Sequence, residues 1–171
     1  MTDPDSFSNF ANRSSSKWLR YPADVLPMHV AEMDFDVAEP IRARLAQMVV
    51  NSDLGYLGPF AKAGQAFESF ALNRWGWQLD PTHAKMATDV GVAAVEILKA
   101  ATGPGEQVLV NTPVYAAFFS WLKEADCTPV DAPLVLEGDT WKLDLPAIRA
   151  AFESGVRVYL LCSPQNPVGR I

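Results

Sequence analysis

Between Val156 and Cys162 the chain reads Val-Arg-Val-Tyr-Leu-Leu-Cys, then breaks into Ser163-Pro164-Gln165-Asn166-Pro167-Val168-Gly169-Arg170. A β-branched and aliphatic run ending in a loop that holds two prolines and an asparagine is how an open α/β sheet presents polar groups to a ligand, beyond the carboxyl end of a strand. This feature constrains the fold more than any other. A strand of that kind needs further strands beside it and helices over its faces.

The preceding residues supply such elements. From residue 84 onward, strand and helix patterns alternate. Lys85 to Thr88 reads as a short strand, and 92–102 as a helix that is apolar nearly all round and therefore buried. Gly103-Pro104-Gly105 breaks it, and Gln107 to Val110 is a strand. Residues 114–125 carry Phe118, Phe119, Trp121 and Leu122 at helical spacing. Thr128-Pro129-Val130 reads as a weak strand at a sheet edge, because a proline cannot donate to a ladder. Asp144 starts a helix that Gly155 ends. Alternation of this kind predicts βαβ units and a mostly parallel sheet.

The first half of the chain differs. Residues 1–27 are polar and irregular and read as an arm laid on a surface. Asp36 followed by Glu39 resembles a capping box, and Pro40 suits the first helical turn; Val37, Ile41, Leu45, Met48 and Val49 continue the period. A second amphipathic helix follows the Gly55-Tyr56-Leu57-Gly58-Pro59 loop, with Phe67, Phe70, Ala71 and Trp75 on one stripe and Gly76 as its stop.

Composition narrows the function classes. Hydrophobic residues make up 49% of the 171, with five Trp and nine Phe, enough to exclude a disordered chain. A formal charge of −6 disfavours nucleic acid, whose phosphates call for a basic face. No apolar run approaches the roughly 20 residues that span a bilayer. The polar start Met1-Thr2-Asp3-Pro4-Asp5 does not resemble a secretory signal. Cys127 and Cys162, far apart and without metal-like spacing, read as reduced thiols of a cytoplasmic protein.

In a parallel sheet, ligands sit at the carboxyl ends of the strands, and three loops leave those ends. The first is Asp89 to Ala93. Gly91 allows close backbone approach, and the amides of Val92 and Ala93 at a helix start suit a phosphate; a plain strand-to-helix turn would look the same. The second is Asn111 to Tyr115. Tyr115 can stack on a flat heterocycle, or simply be the first buried residue of an aromatic-rich helix. The third is Ser163 to Arg170. Asn166, held between two prolines, can donate to a ligand oxygen, or only initiate an Asn-Pro turn. Glu32, Asp34 and Asp36 alternate like ligands on one strand face, but no further ligand supports a metal site, and none is expected. His29 and His83 are isolated. Lys17, Lys85 and Lys99 read as solvated lysines.

Taken in order, several blocks carry a resemblance. They are Arg13 to Trp18, Val30-Ala31-Glu32-Met33-Asp34-Phe35, Gly55-Tyr56, Gly91-Val92, Pro104 to Val108, Pro113-Val114-Tyr115, Trp141 to Asp144, and Leu161 to Arg170. Together they resemble the aminotransferase class I/II superfamily of pyridoxal-phosphate enzymes of fold type I, and most nearly its cystathionine β-lyase branch. The resemblance implies an α/β protein. Residues 1–50 would be an N-terminal arm and small-domain segment, and residues 51–171 the first part of a truncated cofactor-binding large domain. It implies that Val92 and Ala93, beside Gly91, hold the phosphate of pyridoxal 5'-phosphate, that Tyr115 stacks on its ring, and that Asn166 bonds its phenolic oxygen. Tyr56 would reach the phosphate of a neighbouring subunit in a homodimer, and Val30 and Ala31 would line the substrate entrance. Two departures stand out: Met28-His29-Val30-Ala31-Glu32 replaces a more aromatic segment, and Ala93 replaces a valine.

The implied reaction is α,β-elimination of cystathionine or other cysteine S-conjugates, giving pyruvate, ammonia and a thiol. Transamination is the alternative within the family. A non-catalytic module that binds a phosphorylated metabolite, or dimerises, is the alternative outside it. The reaction also calls for a lysine that anchors the cofactor and a carboxylate that keeps its ring nitrogen protonated. No lysine here has the matching context, so this chain is expected to be the N-terminal part of a longer enzyme and inactive alone.

Overall fold

The computed structural model describes residues 13–56, 58 and 60–171. It divides into two compact units, Met1–Gly58 and Pro59–Ile171.

The first unit holds a short helix α1 (Ser16–Leu19) and a longer one, α2 (Glu39–Val50). Its organising contact is an ion pair. Lys17 is only 5% exposed. Its ammonium donates to both oxygens of Asp34, at 2.7 Å each, and to the Glu32 carbonyl at 2.9 Å. Ser15 Oγ donates to Glu32 Oε1 at 2.8 Å, and Arg13 Nη1 donates to the Met33 carbonyl at 3.0 Å. Arg13 also lies 4.0 Å from Asp36. The segment from Arg13 to Lys17 is thus fastened to 32–36 by alternating polar contacts. The expectation of a solvated Lys17 is corrected: a buried ammonium needs an acceptor for each of its N–H groups, and here all three find one. The capping box does not form either. Ala38 occupies the N-cap of α2, and no side chain caps it. Glu39 is engaged by Arg42, and Asp36 faces Arg13.

The second unit is built on β1 (Gln107–Val110), flanked by β2 (Thr128–Asp131) and β5 (Val158–Tyr159), all parallel, in the order β2-β1-β5. Helix α3 (Ala61–Trp75) precedes them and ends at Gly76, whose φ of 66° supplies the left-handed stop anticipated there. Side chains on a strand alternate between faces, so β1 serves two layers. Val108 and Val110 pack with Val95 and Leu98 of α4 (Val90–Ala101), with Phe118 and Leu122 of α5 (Ala117–Glu124), and with Cys127. Leu109 packs on the other face with Ala132, Val156 and Ile148 of α6 (Leu145–Glu153). The Asp144 carboxylate caps α6 by accepting from the Ala147 amide at 2.9 Å.

Three expectations change. Residues 85–88 form no strand; they are exposed, and no described strand offers their backbone a partner. Helix α4 buries one stripe only, since Val90 and Ile97 are 75% and 67% exposed. The last strand pairs over Val158–Tyr159 rather than the whole of 156–162, with one further bond from the Leu160 amide to the Leu109 carbonyl. The sequence reading did not include the 3-10 turn Pro81–His83 or the antiparallel hairpin of β3 (Val135–Glu137) and β4 (Thr140–Lys142). Gly138, at φ 59°, makes its turn, and Gly-Asp between two short runs was the signal.

Glu106, just before β1, ties the sheet's entry together. It accepts from the Gly103 amide at 2.8 Å and from Arg157 Nη2 at 2.6 Å. These two donors, the amide first, hold its carboxyl below the usual carboxylate value. A group whose pKa falls on folding stabilises the fold above its unfolded value, and that contribution fades as the pH drops through the folded value. Glu106→Gln is therefore expected to lower the thermal midpoint slightly at neutral pH and to match the wild type in strong acid. A difference that stayed constant across that range would contradict this.

Candidate functional site

Two strands release their loops at the same end of the sheet. Beyond β1, Asn111 is 5% exposed and fixed from both sides. Its Nδ2 donates to the Ala132 carbonyl at 2.6 Å, and its Oδ1 accepts from the Tyr159 hydroxyl. Burial pushes the Tyr159 phenol above its ordinary value, which keeps it a neutral donor. Thr112 then binds Asp131 twice, through its amide at 3.0 Å and its hydroxyl at 2.5 Å. The loop thus leaves the sheet on a fixed course and presents Tyr115, half of whose surface is open.

Beyond β5, the loop folds around Gln165, which is 7% exposed. Its amide donates to the Arg170 carbonyl and its carbonyl accepts from the Gly169 amide, both at 2.7 Å. Its side chain accepts from the Val168 amide at 3.1 Å and donates to the Pro113 carbonyl at 2.5 Å. The last bond ties this loop to the one bearing Tyr115. Asn166, next in sequence, is exposed, and its amide donates to Cys162 Sγ at 3.3 Å.

The third loop opens α4. A methyl group at Gly91 would lie 2.8 Å from Trp121 Nε1 and 3.1 Å from Asp89 Oδ1. The Trp121 ring in turn meets Tyr115 edge-on, with centroids 6.1 Å apart. Gly91, Trp121 and Tyr115 are therefore neighbours, and all three loops gather at one rim.

The amides at this helix start need correcting. Val92 donates to Asp89 Oδ1 at 2.9 Å, and Ala93 donates to the Asp89 carbonyl at 3.1 Å, so neither is free. An Asp at the N-cap takes one orphan amide by its side chain, and the helix's own first backbone bond takes the other. Among the described residues, nothing accepts from the amides of Val90 and Gly91.

Of the other candidates, Tyr56, Val30 and Ala31 lie in the first unit, and all three are exposed there. Glu32, Asp34 and Asp36 are engaged by Ser15, Lys17 and Arg13, so an arm holds the three acids that might have suggested a metal. The reading of the sequence passed over Gln165, Trp121 and Asp89. Asp89, three residues before Val92, carried a recognisable capping signal; Gln165 and Trp121 carried none, because their partners are distant in the chain.

A profile of the family described as aminotransferase class I and II matches residues 27–171. The chain belongs to that family. A Mycobacterium tuberculosis protein is 36% identical to this class I and II member over 171 residues, which cover 94% of the chain and 41% of that protein. Cystathionine beta-lyase PatB of Bacillus subtilis is 31% identical over 148 residues, 86% of the chain and 38% of PatB. Among solved structures, Treponema denticola cystalysin, which contains a pyridoxal 5'-phosphate cofactor, superposes with a TM-score of 0.82 at 25% identity, covering 94% of this chain and 43% of its own. The parallel-sheet α/β fold expected from the sequence is thus that of aminotransferase-type, fold type I enzymes. The chain spans about two fifths of the length of the curated relatives it matches. No helix among the described residues is long and apolar enough to cross a membrane.

Proposed function

We propose that this chain supplies the ring-facing and phosphate-facing part of a pyridoxal-phosphate site in a carbon–sulfur β-lyase acting on cystathionine or related cysteine S-conjugates. The observation that carries this reading is the meeting of three loops at one rim, in a chain with a cystathionine β-lyase among its relatives.

The residues fit the cofactor. At Gly91 the backbone is bare on a side that a methyl group would fill, and the unbonded amides of Val90 and Gly91 stand at the positive end of α4. The Val92 amide now donates to an Asp89 carboxylate oxygen, and a phosphate oxygen that took its place there would meet the same donor. Ala93 supports the turn rather than the phosphate. Tyr115 offers an open ring face, and Asn166 an exposed amide for the phenolic oxygen. When bound, the cofactor supplies an electron sink for the carbanion formed next to the substrate nitrogen. The task of this chain is to bind and orient. Trp121 backs Tyr115, Gln165 backs the loop of Asn166, and the Asn111–Tyr159 pair fixes the strand ends behind both.

Residues 1–50 form the arm and small-domain segment, and 51–171 the first part of the cofactor domain. Tyr56 serves the site of a second subunit in a homodimer, while Val30 and Ala31 line the substrate entrance. The anchoring lysine lies outside this sequence. The protein works in the cytoplasm, in methionine biosynthesis.

The longest polypeptide encoded with this sequence, purified and mixed with pyridoxal 5'-phosphate, is expected to take up one equivalent per chain and to release pyruvate and a thiol from cystathionine. Borohydride reduction followed by peptide mapping is expected to find no cofactor on any lysine of residues 1–171. Amino-group transfer to a keto acid without thiol release would establish the transaminase reading instead. Absence of cofactor uptake would overturn both.

A further inference from the structure

We propose that Gln165 is a positioning residue that sets the gap between Tyr115 and Asn166 and thereby tunes the electronic state of the bound cofactor; this rests on the pyridoxal-phosphate reading above. Its side chain lies inside the protein and crosses from one loop to the other. Nε2 donates to the carbonyl of Pro113, two residues before Tyr115, and Oε1 accepts from the amide of Val168, two residues after Asn166. Its backbone closes the same loop through Gly169 and Arg170. These four bonds converge on one residue that itself adjoins Asn166.

The chemistry of the position is specific. Pro113 offers only a carbonyl, so it needs a donor; Val168 offers an N–H, so it needs an acceptor. A neutral primary amide satisfies both at once. A carboxylate satisfies Val168 but sets a negative oxygen against the Pro113 carbonyl, and a thioether satisfies neither well. The loops would then separate or slide, and Asn166 would leave the line along which it meets a phenolic oxygen. Asn166 donates to that oxygen best when the oxygen is ionised, so a displaced Asn166 raises the pH at which the bound chromophore titrates.

The test uses the full-length, cofactor-loaded protein with three variants, Gln165→Glu, Gln165→Met and Gln165→His, and with Asn166→Ala as the reference. Histidine keeps one donor and one acceptor nitrogen. Three quantities are read: the dissociation constant for pyridoxal 5'-phosphate, the pH midpoint of the bound chromophore's visible absorption, and the thermal midpoint without cofactor. Glutamate and methionine are expected to weaken cofactor binding about tenfold, the scale of one lost hydrogen bond, and to move the absorption midpoint in the direction given by Asn166→Ala. Histidine is expected to recover most of both. A purely structural role would lower the thermal midpoint and leave the absorption midpoint at its wild-type value, and that result in Gln165→Glu or Gln165→Met overturns the proposal. If one of these two fails to fold, the other and the histidine variant carry the same comparison. A wild-type protein that takes up no cofactor removes the underlying reading and this inference with it, and is told apart from failure of the inference alone by the wild-type spectrum.

Discussion

Lys17→Met is expected to destabilise the first unit by about 2–3 kcal/mol and to make residues 13–19 the first site of proteolytic cleavage. Truncating one member of a fully buried pair costs roughly 3–5 kcal/mol, because the other charge stays behind without a partner. The expected loss is smaller here. Lys17's side chain is 6% exposed, but that of Asp34 is 38% exposed and keeps some water once the lysine is gone. Methionine has a comparable volume, so the loss reads the charge and its three hydrogen bonds rather than a cavity. Pairing Lys17→Met with Asp34→Asn is expected to recover part of the stability, since the second change removes the stranded charge. Denaturant unfolding of the two single variants and the double variant checks this. Additive losses would show that the two side chains do not act as a pair.

Gly91→Ala is the second large effect. Alanine is the better helix former by about 1 kcal/mol, so propensity alone predicts a gain. The added methyl, however, sits 2.8 Å from Trp121 Nε1, well inside contact distance. The indole cannot swing aside cheaply, because Tyr115 and Phe118 flank it, with ring centroids 6.1 Å and 5.2 Å away. Overpacking of this kind costs about 1–3 kcal/mol, so a net loss of roughly 1–2 kcal/mol is expected. The same push moves Trp121 against the aromatic that faces the proposed cofactor, so cofactor affinity should fall too. Trp121→Phe makes room, and Gly91→Ala in that background is expected to be neutral or stabilising. Thermal melts of the four proteins in this cycle decide the matter. A Gly91→Ala penalty undiminished by Trp121→Phe would place the clash elsewhere.

The parts of this protein that were legible in its sequence are those governed by local rules. Strand β1 was readable from Gln107-Val108-Leu109-Val110, helix α6 from Asp144 and Gly155, and the end of α3 from Gly76, because each depends on residues within a few positions of one another. The meeting of the loops beyond β1 and β5 followed from the general geometry of parallel sheets, whereas the loop that opens α4 leaves no described strand and reaches the rim through Trp121. Long-range pairing was not readable. Lys17 looked like any arm lysine, since its burial depends on Asp34. The apolar run in α4 predicted burial all round, but only the stripe of Val95 and Leu98 faces the sheet. Residues 85–88 had strand composition and lacked a partner, and a strand is defined by its partner. At the site, the reading of residue types passed over the Asp89 cap, and it is Asp89 that engages the Val92 amide.

The strand order carries a consequence for biosynthesis. The central strand β1 finds its first neighbour in β2, where Gln107 pairs with Thr128, but its second neighbour, β5, emerges only with Val158. A nascent polypeptide that has cleared Asp131 can already close the β1-α5-β2 module, and contacts of short chain separation form fastest. The opposite side of β1 must wait, with its hydrogen-bonding edge open, until the later segment arrives. The turn with Asn166 is therefore the last of the three to reach the rim, so a ribosome that stalls before residue 158 would release an intermediate able to fold its scaffold but not its pocket.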